Sequence, residues 1–525
     1  MSIKAFPHSK ILLLAITCCC MVCCARSQVY TSTVAMADLA GRENDIFRWI
    51  DGYIDTEILR LKALKRQASQ IPRLTPTQAA AHVLNPLGAY HTIKKFSFVW
   101  KKLAEALISQ TWAAHPNISL SKISKDLNLK QWPGNRDLEG AASALVRLQR
   151  TYGLSAVDLQ KGKVLSSVTE VHLDSNDCFL IGLEAEKTAD WLIMSEWMTL
   201  AHEKMNKQSL FREAQVFISL AKAYLKLEQT SKAVEFATRA VALDPGNKEY
   251  RVTLEQYKST KEACDYEPEI TPAAELSVYE MLCRGDILQE KAVEKALNCR
   301  YKETNIPIKV AKEEILYRDP RVSIFYDVIS NSEAQLLVDM ASSKMHQAYI
   351  GQSKMSAMRI SQVGWLGDEA ADVKQISQRI AQITGLETTM KSDMSNAEKF
   401  QVVSYGVGGM YKPHYDAFGV HYDASEGPEY LRDSGDRVGT WMFYLTDVEA
   451  GGATVFPAIK VTVPPVKNAA VFWYNLKRDG RRDTYTIHAG CPVLLGQKLV
   501  ANKWIRERGQ IFHRRCGLDR NSPDD

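Results

Sequence analysis

Beyond about residue 395 the chain breaks into short runs of β-branched and aromatic residues, each closed by Gly, Pro or Asp, and this patterning limits the fold more than any other feature. Such runs occupy 400–405, 440–445, 469–474 and 492–495. Strands this short, with turn residues between them, close into a sandwich or jelly roll. The front of the chain reads differently. From 46 to 68, apolar residues (Phe47, Ile50, Ile54, Ile58, Leu61, Leu64, Ala68) recur at three- and four-residue steps between charged positions. That is an amphipathic helix, which either packs on its own domain or self-associates. Pro72 and Pro76 end it.

Residues 209–247 match a helix-turn-helix repeat of about 34 residues, the tetratricopeptide kind, with Phe217, Leu220, Ala221, Tyr224, Ala233, Ala240 and Pro245 at its offsets. One repeat cannot bury its own faces, and the helical, aromatic stretch 178–205 reads as a degenerate partner. A small helical module over about 170–250 is therefore expected. Such a module either binds a peptide or serves as a spacer, and Trp191 and Tyr224 are its candidate stacking surfaces for proline rings.

With 525 residues, the chain exceeds what one core supports, so several domains are expected. Its apolar fraction of 46% and charged fraction of 24% are ordinary for folded proteins. A net charge of +5 with no Lys/Arg-dense block gives no argument for nucleic acid. At the N-terminus, Lys4 and Lys10 precede an apolar run over 11–24 that ends in Cys23-Cys24-Ala25. This has the form of a signal peptide cleaved near Ala25. It is shorter than the ~20 residues a membrane span needs, and no second such run follows. Cleavage would remove five of the eleven cysteines, leaving Cys178, Cys264, Cys283, Cys299, Cys491 and Cys516 able to pair in an oxidising lumen. Asn117-Ile118-Ser119 is a glycosylation sequon with meaning in that lumen. The C-terminus, Asn521-Ser522-Pro523-Asp524-Asp525, carries no retention tetrapeptide.

The back half carries the chemistry. Tyr411-Lys412-Pro413-His414-Tyr415-Asp416 is followed at a distance by His488 and, ten residues later, Lys498. Two imidazoles and one carboxylate form a facial triad that leaves positions open on a non-haem Fe(II). On a strand, residues i and i+2 share a face, so His414 and Asp416 can grip one ion from one side while a facing strand supplies His488. Lys498 can meet the far carboxylate of a chelating dicarboxylate as a compact charge. Singly each is weak, since His-x-Asp triplets arise by chance; His421-Tyr422-Asp423 is a second one here. The first follows a strand-like run and a glycine turn, whereas the second runs into Ala424-Ser425-Glu426-Gly427-Pro428, which is loop chemistry.

Together with these residues, Tyr279-Glu280-Met281-Leu282-Cys283-Arg284-Gly285, Arg359-Ile360-Ser361, Tyr405-Gly406-Val407-Gly408-Gly409, Ala450-Gly451-Gly452-Ala453-Thr454-Val455-Phe456-Pro457, Val471-Phe472-Trp473-Tyr474-Asn475-Leu476 and Asn502-Lys503-Trp504-Ile505-Arg506-Glu507-Arg508-Gly509-Gln510 resemble the α subunits of collagen prolyl 4-hydroxylases. The resemblance covers nearly the whole mature chain. It implies a double-stranded β-helix holding Fe(II) on His414, Asp416 and His488. Lys498 would take the distal carboxylate of 2-oxoglutarate, with Tyr405, Thr440 and Trp504 in the same pocket. The implied reaction hydroxylates proline C4 in X-Pro-Gly sequences of procollagen-like chains, consumes 2-oxoglutarate and dioxygen, releases succinate and CO2, and uses L-ascorbate to rescue the iron. It further implies Cys283–Cys299 and Cys491–Cys516 disulfides, with no partner for Cys264. The family assembles two α subunits with two protein disulfide isomerase subunits in the endoplasmic reticulum lumen, and the isomerase carries the retention signal missing here.

The expected architecture is therefore multidomain α + β: signal peptide 1–25, helical N-terminal dimerisation region 26–165, tetratricopeptide-like peptide-binding module 170–250, linker and entry 251–315, and dioxygenase domain 316–525 with its core at 395–516. The repeat module departs from the family's tyrosine-lined groove, offering Trp191 but no tyrosine over 185–194, and Ser219 and Lys222 where aromatics would be expected. Lysyl and proline-C3 hydroxylases present an arginine to the cosubstrate, so Lys498 argues against them. A complete triad argues against a non-catalytic peptide-binding subunit.

The two triplets are separable by experiment. His414→Ala or Asp416→Ala is expected to abolish iron content and succinate production together, while His421→Ala and Asp423→Ala keep both. Loss of iron from the second pair alone would overturn the choice.

Overall fold

The computed structural model describes residues 33–108, 132–262, 276–305, 309–347, 358–390, 396–419 and 433–517. The signal-peptide segment, Asn117, Cys264 and the His421/Asp423 triplet lie outside them. The chain divides into two compact units, residues 1–74 with 103–110, and residues 75–102 with 111–525.

The first unit is dominated by helix α1 (Thr33–Ser69). Its Phe47, Trp49, Ile50, Tyr53, Ile54 and Ile58 are exposed within this chain.

The second unit begins with α2 (Pro76–Val83) and α3 (Pro86–Lys94), both opened by a side-chain cap and a proline at the first turn, where a missing N–H costs nothing. A longer helix, α4 (Asn135–Tyr152), ends on Gly153 in the left-handed conformation, and a short hairpin of β1 (Lys163–Val164) and β2 (Ser167–Val168) comes after it. Five helices follow in antiparallel succession: α5 (Ser175–Lys187), α6 (Trp191–Glu203), α7 (Glu213–Lys226), α8 (Thr230–Leu243) and α9 (Lys248–Glu262). Small residues let them approach closely. Ala221, Ala233, Ala237 and Ala240 are fully buried, and a Cβ on Gly182 would stand 2.9 Å from Met198. Cys178 is buried in this core. Helix α9 carries the helical stack past the expected boundary at 250.

Helix α10 (Val278–Arg284) leads into the sheets. The larger sheet has nine strands in the order β3 (Cys299–Glu303), β4 (Val310–Arg318), β5 (Arg321–Tyr326), β15 (Ala470–Tyr474), β11 (Arg437–Tyr444), β18 (Lys498–Arg506), β9 (Phe400–Tyr405), β8 (Gln362–Leu366) and β6 (His346–Gln347). The smaller has five: β14 (Val461–Val463), β13 (Thr454–Phe456), β16 (His488–Gly490), β10 (Met410–His414) and β7 (Arg359–Ile360). A separate pair joins β12 (Val448–Gly451) to β17 (Val493–Gly496). Within 251–315, expected as linker and entry to the dioxygenase domain, β3 and β4 hydrogen-bond to each other and extend the large sheet outward. The linker reading missed them because charged β3 has one edge open and lacks a buried strand's apolar run.

Alternation along each strand sorts the side chains into two cores. Val403, Tyr405, Met442, Tyr444 and Val500 turn toward Phe456, Val461 and Val463 of the smaller sheet. Their neighbours Val402, Trp441, Phe443, Leu499 and Ala501 turn the other way, onto α11 (Asn331–Ser342) and α12 (Ala371–Thr384). Sheet and helical layers share one unit. Arg147 of α4 donates to the Gly408 carbonyl at 3.1 Å, and Tyr152 donates to the Pro492 carbonyl. Any side chain at Gly408, whose φ is +72°, would strike Ala144.

The expected disulfides are corrected. Cys283 pairs with Cys491 across a Cα–Cα distance of 5.5 Å, while Cys299 and Cys516 are free and exposed. Packing decides this: Leu282 and Cys283 of α10 bury against Val455, Ala489 and Cys491. Cys299 instead opens an outer strand, and Cys516 follows the last one. Digestion without reduction is expected to release the 283–491 linked pair, with Cys299 and Cys516 alkylated directly. Cys283→Ser should cost on the order of 5 kcal/mol of stability, the entropy of a loop closed across 208 residues. A 283–299 peptide would refute the pairing.

Candidate active site

Strands β10 and β16 pair antiparallel with His414 directly opposite His488. Strand β10 ends at His414, so Asp416 lies two residues beyond the pleat rather than on it. It reaches the same point because Thr440 Oγ1 on β11 donates to Asp416 Oδ2 at 2.7 Å, and Asn475 Nδ2 donates to that hydroxyl at 2.8 Å. The three side chains bring ligand atoms within 4.8 Å of one another, the sole such group among the described residues. His414 Nε2 stands 3.8 Å from Asp416 Oδ1, and His488 Nε2 stands 3.7 Å from Oδ2.

Each imidazole is held through its other nitrogen. His414 Nδ1 lies 2.8 Å from the Lys412 carbonyl, and His488 Nδ1 lies 3.0 Å from the Thr486 carbonyl. A carbonyl can only accept, so Nδ1 carries the proton and Nε2 keeps its lone pair for a metal. Burial, then the neighbouring His488, holds His414 far below its ordinary pKa and so neutral. Burial alone would raise Asp416, but its charged surroundings, Arg437 among them, hold it below the usual carboxylate range. Two imidazoles and one carboxylate form a donor set that fits Fe(II).

A cavity of about 310 Å³ opens beside these ligands, bounded by Arg359, Tyr405, Tyr411, Trp473, Thr454, Lys498 and Trp504. Lys498 and Tyr405 sit opposite each other in the β18–β9 register. Lys498 is 3% exposed and donates to Thr454 Oγ1 at 3.2 Å; Tyr444 donates to the same oxygen at 2.9 Å. Among the described residues no carboxylate pairs with it, and burial alone pulls its pKa down to about 7. An ammonium buried without a counter-charge is costly unless an anion arrives. The far carboxylate of a dicarboxylate chelated at the metal fits that need.

Tyr405, Trp504 and Lys498 therefore line one cavity with the triad. Thr440 does not. It supports Asp416, and the threonine beside Lys498 is Thr454, which the sequence reading did not single out. A threonine in a strand is ordinary, and the only signal lay in the Gly-Gly-Ala-Thr-Val-Phe-Pro segment. Arg437 was also missed. It donates to both oxygens of Glu398 at 2.6 and 3.0 Å, lies 3.6 Å from the Trp504 ring centre, and reaches the Asp416 carbonyl at 3.3 Å. In the helical region, Trp191 lines a cavity of about 710 Å³ and Tyr224 lines a neighbouring one of about 590 Å³.

A facial His/Asp/His set beside a buried, unopposed lysine between two antiparallel sheets defines a non-haem iron oxygenase that takes a dicarboxylate cosubstrate. Residues 400–506 match the 2OG-Fe(II) oxygenase superfamily, and 32–166 match the prolyl 4-hydroxylase α-subunit N-terminal region. The chain is 33% identical to prolyl 4-hydroxylase subunit α-1 of Rattus norvegicus over 94% of its own length and 97% of that protein's. It is 34% identical to the Homo sapiens α-1 subunit (93% and 95%) and 32% identical to the Caenorhabditis elegans α-2 subunit (95% and 95%). The solved viral collagen prolyl hydroxylase of Paramecium Bursaria Chlorella virus-1, in its 2OG complex, is 28% identical, covering 35% of this chain and 95% of its own with a TM-score of 0.28. The chain belongs to the prolyl 4-hydroxylase α-subunit family. Its cofactors are Fe(II) and 2-oxoglutarate, and ascorbate fits such an enzyme as the reductant.

Lys498 gives a test with a worked sign. Anion binding needs the charged ammonium, which is lost as pH rises through about 7. The apparent KM for 2-oxoglutarate is expected to climb above that pH. Lys498→Ala should raise it by about tenfold or more, matching a lost charge-assisted contact of ~1.5–3 kcal/mol, and remove the pH dependence while iron content persists. Lys498→Arg should recover only part, because a planar fork needs another pocket. An unchanged KM in the alanine variant would refute the role.

Proposed function

We propose that this α subunit hydroxylates proline at C4 in X-Pro-Gly sequences of procollagen-like chains. The observation that carries this reading is Lys498, buried without a counter-charge on the inner face of the large sheet beside the His414/Asp416/His488 set. Iron bound there supplies the activation of dioxygen coupled to decarboxylation of 2-oxoglutarate. The chain's own residues do the rest. Nδ1–H contacts aim two imidazoles, Thr440 aims the carboxylate, Lys498 and Thr454 orient the cosubstrate, and Tyr405, Trp473 and Trp504 wall the pocket from bulk water.

The two opposed sheets are read as a double-stranded β-helix and the helix pairs of 170–250 as a tetratricopeptide-like module presenting Trp191 and Tyr224 to a proline-rich peptide. The exposed apolar stripe of α1 supports self-association of two α subunits. A β subunit follows from the family, and protein disulfide isomerase in an α2β2 assembly in the endoplasmic reticulum lumen is the reading that accords with the leader-like N-terminus and the Asn117 sequon. No helix among the described residues is long and apolar enough to cross a membrane.

The assembled enzyme is expected to convert (Pro-Pro-Gly) repeats to 4-hydroxyproline, one oxygen gained per succinate formed, by peptide mass and amino-acid analysis. Trp191→Ala and Tyr224→Ala should raise the peptide KM by about three- to tenfold and leave the 2-oxoglutarate KM unchanged, as loss of a stacking contact of ~1 kcal/mol predicts. Succinate formed without hydroxyproline, or hydroxyl at C3, would sink the assignment.

A further inference from the structure

The cavities at Trp191 and Tyr224 share four lining residues, Gly153, Leu154, Leu192 and Glu196. They therefore form one continuous groove along α6. Its Tyr224 half is charged on one side only, with Glu196 and Glu203 as its sole charged lining residues. Glu196 is fixed rather than free. Buried Trp197 donates its indole N–H to Gln149 Oε1 at 2.6 Å, which commits the Gln149 amide nitrogen to donate to Glu196 Oε2 at 2.7 Å. This relay spends one carboxylate oxygen and leaves the other for the groove. Partial burial of the carboxyl raises its pKa, and no lysine or arginine pairs with it among the described residues. The basic residues of the Trp191 half are engaged elsewhere or lie apart. Arg150 is bound to Asp190 and Glu280, and Arg284 donates to the carbonyls of Thr151 and Arg150. Lys226 lines only that half, beside Glu228.

Glu196 and Glu203 lie seven residues apart on one helix, hence on one face and ~10.5 Å apart along its axis. A polyproline-II chain advances ~9.3 Å per three residues. The two carboxylates thus match the spacing of one position in successive triplets. We infer that this groove selects collagen-like peptides carrying a basic residue in successive triplets, with Glu196 and Glu203 as the specificity-determining residues. The inference rests on the peptide-binding reading of the groove and adds the chemical class of its substrate.

The test uses the full-length assembled enzyme and triplet peptides of equal length, (Pro-Pro-Gly), (Lys-Pro-Gly) and (Glu-Pro-Gly), each keeping the target proline. The wild-type KM is expected to be about three- to tenfold lower for the Lys than for the Glu peptide at low salt, converging as ionic strength rises. Glu196→Gln should shrink that ratio about twofold or more, adding Glu203→Gln should bring it near one, and Glu196→Lys should invert it. A Lys/Glu ratio unmoved by these variants, in enzyme of wild-type circular dichroism, overturns the charge selection. Leu192→Arg, which blocks the shared stretch, separates the two ideas. If it leaves the KM of all three peptides unchanged, the groove reading itself has failed; if it raises all three while the glutamate variants move nothing, only the present inference falls.

Discussion

His414 and His488 face each other across a two-strand antiparallel pair, and nearly everything else in the catalytic layer serves to keep them there. Their strands are short, three and five residues, and a one-residue slip would turn either imidazole to the opposite face. The register is pinned from several sides. Gly490 pairs with both Tyr411 and Thr454, and Val455 pairs with Ala489. The Cys283–Cys491 link ties the chain one residue beyond β16 to α10. Arg147 and Tyr152 of α4 hold the turn before β10 and the carbonyl after β16.

The same layer carries a deliberate instability. Lys498 has an ordinary pKa of 10.5 and a buried one of about 7. Between these values the unfolded chain binds more protons than the folded one, so stability rises with pH across that window, and below about 7 the buried charge opposes folding in full. A carboxylate docked at Lys498 reverses the effect by drawing the pKa back up. Under the proposed role of Lys498, cosubstrate binding and the cost of burying its charge are one quantity seen from two directions.

Support for the ligands extends well behind them. Arg437 is clamped by Glu398 and covered by Trp504, and Arg506 meets the same Glu398 at 3.0 Å. Asp416 therefore sits over a half-buried cation as well as under the Thr440 hydroxyl. Asp416 lies past the end of β10, so its place beside His414 depends on these neighbours as well as on the strand. Two strand-borne imidazoles and the locked neighbours of Asp416 fix the geometry of the set.

Much was legible in the sequence because it is local. Short β-branched and aromatic runs with turn residues marked β9, β11, β15 and β17; three- and four-residue steps marked α1 and the helices around 209–247; the order His414, Asp416, His488, Lys498 marked residues that the fold brings to one cavity. What could not be read was whatever depends on which distant segments meet. Thr440 and Thr454 are both threonines on buried strands, and only sheet register makes one a support for Asp416 and the other a partner of Lys498. Cysteine pairing failed in the same way, since the family resemblance implied Cys283 with Cys299 while the packing of α10 on β13 and β16 chose Cys491. Local pattern sets element type and face through backbone geometry. Contacts between elements are set by how those faces pack, and that packing energy has no address in any single stretch of chain.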